Sequence, residues 1–271
     1  MMSEAINNTF TMYIAAHKSF DVPIIGGYVP IEVGAALRSD HLGYQRDDEG
    51  ENISQKNPSY CELTAHYWMW KHAACKSIGL CHYRRYFSSK PYTPDSKYYL
   101  TANRVARKLK KYDIILPEPV YWENDDVAGQ YIKTSGKKSD IEMAEEVLRR
   151  VSPRSIGSYQ RIMNGHTASY FNMLICNKEL FDDYSDWLFT ELFELEKHLD
   201  LYGRSRYESR VFGFLAERLI NVWADYKQLK VGYASVINTD INISELTTRQ
   251  RIHDALPGAY GLVKKMVARH R

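Results

Sequence analysis

The sequence predicts an α/β fold in which a mostly parallel, twisted sheet is flanked by helices. Three observations predict it. Short apolar runs alternate with longer stretches whose apolar residues recur at helical spacing, the pattern of strands joined through helices. The run Ser77-Ile78-Gly79-Leu80-Cys81 is almost wholly apolar and begins after Lys76, as a strand buried on both faces would. It changes abruptly to His82-Tyr83-Arg84-Arg85-Tyr86, and ligands of open α/β sheets bind outside the carboxyl ends of the strands. Adjacent arginines at such an end suit an anionic, forked group such as a diphosphate. A surface arginine pair with an aromatic collar is the plainer alternative.

Composition bounds the function. The chain has 271 residues, enough for one large α/β domain or two small ones. We read one domain over residues 1–257 and a basic tail over 258–271. A net charge of +3 with 25% charged residues is not the footprint of a dedicated nucleic-acid binder. The 21 tyrosines suit sugar or base stacking, and equally a tyrosine-rich core. Cys61, Cys75, Cys81 and Cys176 form no C-x-x-C and no zinc spacing, so reduced, buried thiols and a cytoplasmic location are expected. Residues 1–10 lack the apolar stretch of a signal peptide. No apolar run approaches the ~20 residues of a membrane span.

The elements follow in order. Residues 11–16 read as the first strand, with His17 and Lys18 at its carboxyl end, either a nucleotide contact or a solvated turn. Residues 31–37 are a short strand or helical turn. Residues 41–58 form a long polar loop, of the kind that is functional or mobile. Its acidic cluster Asp47, Asp48 and Glu49 reads as a solvated turn rather than a metal site. Asn57 and Pro58 have the chemistry of an N-cap and first helical residue, opening a helix to about residue 74. On it Glu62 and His66 stand one turn apart, a hydrogen-bonded pair in preference to a metal pair. Residues 101–111 are a basic amphipathic helix and 112–116 a buried strand. Residues 121–138 are a polar loop near the site. Ser139 and Glu142 read as a capping box for a helix to about 151, and 155–163 as another. Residues 168–176 form a strand interrupted by Asn172, whose amide needs partners. Asn177 caps a packing helix to about 199, with Leu180, Tyr184, Trp187, Leu188, Leu192 and Leu195 at helical spacing. Residues 209–224 are a helix burying Val211, Phe212, Leu215, Leu219 and Trp223, with Arg210, Glu217 and Arg218 elsewhere. Residues 230–236 are the last strand. The tail is either a weak amphipathic helix resting on an anionic membrane surface or a solvated segment.

Several strings carry a resemblance. They include Tyr13-Ile14-Ala15-Ala16-His17-Lys18, Asn52-Ile53-Ser54-Gln55-Lys56-Asn57-Pro58, Cys61-Glu62-Leu63-Thr64, Gly79-Leu80-Cys81-His82-Tyr83-Arg84-Arg85-Tyr86-Phe87, Phe171-Asn172-Met173 and Arg210-Val211-Phe212-Gly213-Phe214-Leu215-Ala216-Glu217-Arg218-Leu219. The chain resembles, from about residue 12 to 236, a bacterial family of capsule, exopolysaccharide and O-antigen gene clusters long catalogued as a domain of unknown function. Its members look like glycosyltransferases of GT-A-like fold, some moving galactofuranose from UDP-galactofuranose.

The resemblance implies transfer of a sugar from a nucleotide-sugar donor, UDP-linked, to a growing surface polysaccharide, with inversion. It implies an acceptor on a lipid carrier and peripheral contact with the cytoplasmic face of the inner membrane. It implies a donor pocket from His17, Lys18, Asn52, Lys56, Asn57, Arg84 and Arg85, and acceptor contacts from Asn172 and Arg210. A carboxylate would remove the acceptor proton. The candidates are Glu217 and Glu208, and Glu217 lies inside a matching string. Where GT-A enzymes carry Asp-x-Asp for a divalent metal, this chain has His82-Tyr83-Arg84. Residues two apart in an extended segment share a face, so His82 and Arg84 would stand in place of the aspartates. Arginine neutralises phosphate without a metal, and no metal or other cofactor is expected. The alternative is a non-catalytic subunit that binds a nucleotide sugar or glycan. A nucleotidyltransferase would need acidic metal ligands where the arginines stand.

Overall fold

The computed structural model describes residues 9–240 except 92 and 94. The basic tail and the reading of the extreme N-terminus lie outside the described residues. Strand β1 (Phe10–Ala16) pairs in parallel with β2 (Tyr28–Glu32), and β2 with the short β3 (Gln45–Arg46). A four-residue helix α1 (Asn57–Tyr60) and a longer α2 (Leu63–His72) follow. Strand β4 (Ser77–His82) runs parallel to β1, and β5 (Arg85–Ser88) turns back antiparallel.

Helix α3 (Ala102–Leu109) leads to β6 (Ile114–Pro117). Then come β7 (Val120–Tyr121) and the helices α4 (Val127–Thr134), α5 (Lys138–Val151) and α6 (Ile156–Met163). Strands β8 (Thr167–Ala168) and β9 (Leu174–Asn177) precede α7 (Lys178–Glu196), α8 (Val211–Tyr226) and β10 (Val231–Asn238).

The main sheet has the order β3-β2-β1-β4-β5-β10-β6-β9, with an added β4–β9 pairing. It is mixed, which corrects the mostly parallel expectation. β5 is antiparallel to β4 and β10, and β9 to β4 and β6. β4 divides its second edge: Ser77 to Leu80 pair with β9, and only His82 pairs with β5. An apolar run fits a buried antiparallel strand as well as a parallel one, so composition did not distinguish them.

The strands alternate between two cores, as the pleat requires. Tyr13 and Ala15 of β1, with Ile78 and Leu80 of β4, face the larger core beneath α2, α7 and α8. Met12, Ile14 and Cys81 face a smaller one with Tyr86, Phe87 and Val105. Gly79 lies where a Cβ would come within 2.9 Å of the Met12 side chain, so the smaller core leaves no room there.

Several local expectations change. Residues 57–74 do not form one helix: Cys61, at φ 54°, breaks it, and Asn57 is its first helical residue, with Lys56 at the N-cap. The Asn57 amide bonds forward to the Cys61 carbonyl (2.8 Å) and the Thr64 hydroxyl (3.2 Å). Asp47 is fully buried rather than solvated, accepting from the Gly34 and Ala35 amides and the Ser54 hydroxyl. A carboxylate with three donors of its own is stable in an apolar setting.

The polar stretch 121–138 contains α4, capped by Asp126. Helix α5 starts before Ser139, and Asp140 accepts from the Lys137 amide in place of the expected Ser139–Glu142 box. Of the four thiols only Cys81 and Cys176 are buried; Cys61 and Cys75 are half-buried, and all four are free. Among the described residues no helix is long and apolar enough to cross a membrane.

Candidate active site

β1 and β4 end side by side, with Ala15 level with His82. Beyond those ends the chain carries its cations. Tyr83 and Arg84 form the tight turn between β4 and β5, so His82 and Arg84 do not share the face of an extended segment. That correction follows from the turn, which re-aims Arg84. The Tyr83 ring is the hub of a cationic rim. His17 meets it edge-on at 5.1 Å, Lys18 Nζ lies 5.1 Å from its centroid, and the Arg84 guanidinium 5.6 Å. Arg38, not foreseen, donates to the His17 carbonyl at 2.5 Å. Arg84 also meets Asp240 at 3.1 Å across a half-exposed surface. Partial desolvation, then the charges of Lys18, Arg84, Arg38 and Arg210, hold the His17 pKa below its usual value, so the ring favours its neutral form.

Behind the rim lie the segment 169–173 and the broken helix. Phe171 (φ 78°) and Asn172 (φ 51°) are both left-handed, as is Cys61. Such conformations cost non-glycine residues on the order of 1–3 kcal/mol and persist where the surroundings over-determine them. Here they do. The Phe171 carbonyl accepts from His82 Nε2 at 2.7 Å, which fixes the proton on Nε2, and the Phe171 amide donates to Glu217 at 3.0 Å. Both Asn172 amide hydrogens are used, toward Glu62 Oε1 (2.7 Å) and the Gly213 carbonyl (2.9 Å). The Arg210 Nε donates to Cys61 Sγ at 3.1 Å, and the Arg85 guanidinium lies 4.7 Å from the Phe171 ring centroid. Helix α8 can approach so closely because residue 213 is glycine: a Cβ there would come within 3.2 Å of Cys61 Sγ.

The titratable groups influence one another. Glu217 is pushed up to about 7, chiefly by burial, with Glu62 adding to the shift and Arg218, the Phe171 amide and Arg210 opposing it. Burial lowers His82 and Arg85, with Glu62 pulling each back up. Cys61 is raised to about 12 by burial and by Glu62, so it is a thiol. Arg218, placed away from the core by sequence, is buried and bonded to Glu217, the Phe214 carbonyl and Gln130.

The structure thus brings His17, Lys18, His82, Arg84, Arg85, Asn172, Arg210 and Glu217 together. It does not bring the others. Asn52 braces its own loop through the Asp48 and Gly50 carbonyls and the Ser54 amide. Lys56 pairs with Glu196 at 2.6 Å, and Asn57 serves the helix break. The Glu208 carboxylate accepts from the Ser205 amide and hydroxyl, closing the turn ahead of α8, and these bonds lower its pKa. Glu62 was missed as a site residue. It pairs with Asn172 and not with the His66 ring, which is buried and bonded to Ser185 at 2.8 Å. The signal that could have found it was its place in the string Cys61-Glu62-Leu63-Thr64.

Fold and site define an α/β protein with a cationic rim and inward carboxylates outside the carboxyl ends of two parallel strands. The chain belongs to the family described as a domain of unknown function, DUF4422, whose profile matches residues 11–228. Among solved structures it is similar to the apo form of WbbM, a bifunctional glycosyltransferase, at 29% identity and a TM-score of 0.80. The similarity covers 86% of this chain and 46% of that one, so the chain spans about half of that protein. No curated protein matches it.

Proposed function

We propose that this chain transfers a sugar from a nucleotide-sugar donor, UDP-linked, to a hydroxyl of a growing surface polysaccharide, with inversion and without a divalent metal. The observation that carries the reading is the opposition of charges at one place: Arg85 and Arg210 stand within electrostatic reach of Glu62 and Glu217 beyond the ends of β1 and β4, with Arg84 beside Arg85. A departing diphosphate gains negative charge as the glycosidic bond breaks, and fixed cations lower the barrier by meeting it. A carboxylate on the other side can take the acceptor proton. The likeness to a bifunctional glycosyltransferase supports the same reaction class. Galactofuranose as donor sugar and an acceptor on a lipid carrier at the inner membrane face rest on the family resemblance.

A divalent ion is the group this fold class most often uses on a diphosphate. The residues here do not fit one. Arg84 cannot ligate, and among the described residues no three His, Cys, Asp or Glu side chains cluster as ligands.

The test begins with thermal shift of the purified chain in UDP, GDP, dTDP and CMP and their sugars. A ligand that binds only the folded state must raise its stability, and UDP and its sugars should do so. Transfer to acceptor should follow and survive EDTA. Stabilisation without transfer would favour the binding-subunit alternative. No stabilisation by any nucleotide would overturn the reading, and activity lost to EDTA and restored by manganese or magnesium would overturn its metal-free part.

A further inference from the structure

Two carboxylates face the site, and their surroundings divide the labour. Glu217 has both oxygens occupied, one by the Phe171 amide and one by Arg218 Nη1 at 2.8 Å. Its side chain is 17% exposed. A carboxylate so held organises backbone, and each of its oxygens already accepts a hydrogen bond. Glu62 differs. It is half-buried, and among the described residues its side chain has one hydrogen bond, from Asn172 Nδ2 to Oε1. Oε2 is the oxygen left over.

The backbone is arranged around that side chain. The described residues include four non-glycine positions with positive φ: Cys61 directly precedes Glu62, and Asn172, which follows Phe171, bonds to it. Cys61 ends α1 and sends Glu62 out ahead of α2; an unbroken helix would carry residue 62 along its barrel. Asn172 is held by Gly213, so its remaining amide hydrogen can only point at Glu62. Left-handed non-glycine residues cluster at active sites, where surrounding structure holds them. Arg85 and Arg210 lie in the field of the same carboxylate, so the anion-binding groups and the carboxylate meet at one place.

We propose that Glu62 is the general base of the transfer, with Asn172 and Glu217 as positioning residues. The inference rests on the sugar-transfer reading above. In the step it assigns, Glu62 Oε2 accepts the proton of the acceptor hydroxyl. The freed oxygen pair forms the new bond to the anomeric carbon, the bond from that carbon to the diphosphate oxygen breaks, and its electron pair leaves on the nucleoside diphosphate among the arginines. Glu62 ends protonated and returns the proton to water.

The test uses the full chain and a UDP-sugar that supports wild-type transfer. Glu62→Gln keeps the Oε1 acceptor for Asn172 and loses only the basic oxygen. It should keep the thermal shift with UDP and lower kcat by about 10²–10⁴-fold, the usual share of a general base. The acid limb of its kcat/KM profile should vanish, a change that a merely structural role would not produce. Glu217→Gln should lose rate but keep that limb. A Glu62→Gln rate within about tenfold of wild type overturns the proposal, as does a limb kept in Glu62→Gln and lost in Glu217→Gln. Should Glu62→Gln not shift with UDP, Glu62→Asp decides: a slower enzyme with the limb retained supports the base, and an unchanged rate overturns it. Failure of the wild type to transfer any UDP-sugar would count against the function reading, and is thereby distinct.

Discussion

Glu217 and Glu191 are both pushed up to about 7, each chiefly by burial, yet the regions around them differ. Glu191 lies on α7 against the end of α5. The Ser152 hydroxyl donates to one of its oxygens, the other has no partner, and Glu194 adds a like charge. Its neighbourhood is a helix–helix seam. Glu217 stands beside two left-handed residues and within the field of Arg210 and Glu62. Desolvation alone can perturb a carboxyl anywhere in a core. What distinguishes the site is the convergence of strain and of both signs of charge at strand ends.

The same contrast governs the arginines. On the helical flank Arg204 is 4% exposed and grips Asp140, itself fully buried, with bonds of 2.9 and 2.6 Å. Arg204→Ala should cost about 3–5 kcal/mol of stability, because it removes the counter-charge of a buried carboxylate and leaves it only the Tyr131 hydroxyl and the Lys137 amide. Turnover per folded molecule should be unchanged; urea unfolding and an active-site-normalised rate check the two halves. A selective loss of turnover would break the comparison.

Arg84 should behave the opposite way. Its partner Asp240 is half-exposed, and such pairs contribute little to stability. Arg84→Ala should lower the transfer rate roughly 10- to 100-fold, the worth of one charge-assisted hydrogen bond to phosphate, with an unchanged melting temperature. Arg84→Lys should recover part of the rate, since the charge returns without the fork.

The smallest effect concerns pH. A glutamate raised from 4.5 to about 7 in the fold binds its proton more tightly folded than unfolded. The stability linked to that proton is full below 4.5 and is lost as pH rises through about 7. Glu191→Gln should therefore flatten the fall of stability over that window, by on the order of 1–3 kcal/mol, and leave transfer intact. Glu217→Gln should flatten the same window and also slow transfer. Melting temperatures and rates from pH 4.5 to about 7 separate the two.

The parts legible in the sequence were those set by local spacing. Strands β1, β4 and β6 and helices α7 and α8 lie close to where apolar periodicity put them. The cationic rim was legible because two adjacent arginines directly after a buried strand are too costly to bury unpaired, which leaves the strand's open end as their place. The mixed topology was not, since a strand buried on both faces reads alike in either direction. The turn at Tyr83 and Arg84 has neither glycine nor asparagine to announce it. The break at Cys61 is held by Arg210, 149 residues further along, and no window around residue 61 contains that contact. Glu62 was hidden for the same reason: read as part of a continuous helix, its natural partner was His66.

Strand β10 lies between β5 and β6, pairing with β5 through Ser235 to Asn238 and with β6 through Val231 to Ala234. The gap between β5 and β6 is therefore filled by the strand that leaves the ribosome after both of them. Until residues 231–238 emerge, β5 and β6 each carry an unpaired edge, the feature that invites association between chains. The pairing spans well over a hundred positions, which slows its formation. A nascent chain stopped before Val231 keeps β4 joined to β6 through β9 but leaves β5 and β6 each with an open edge, and cutting there should yield aggregation in place of a smaller soluble protein.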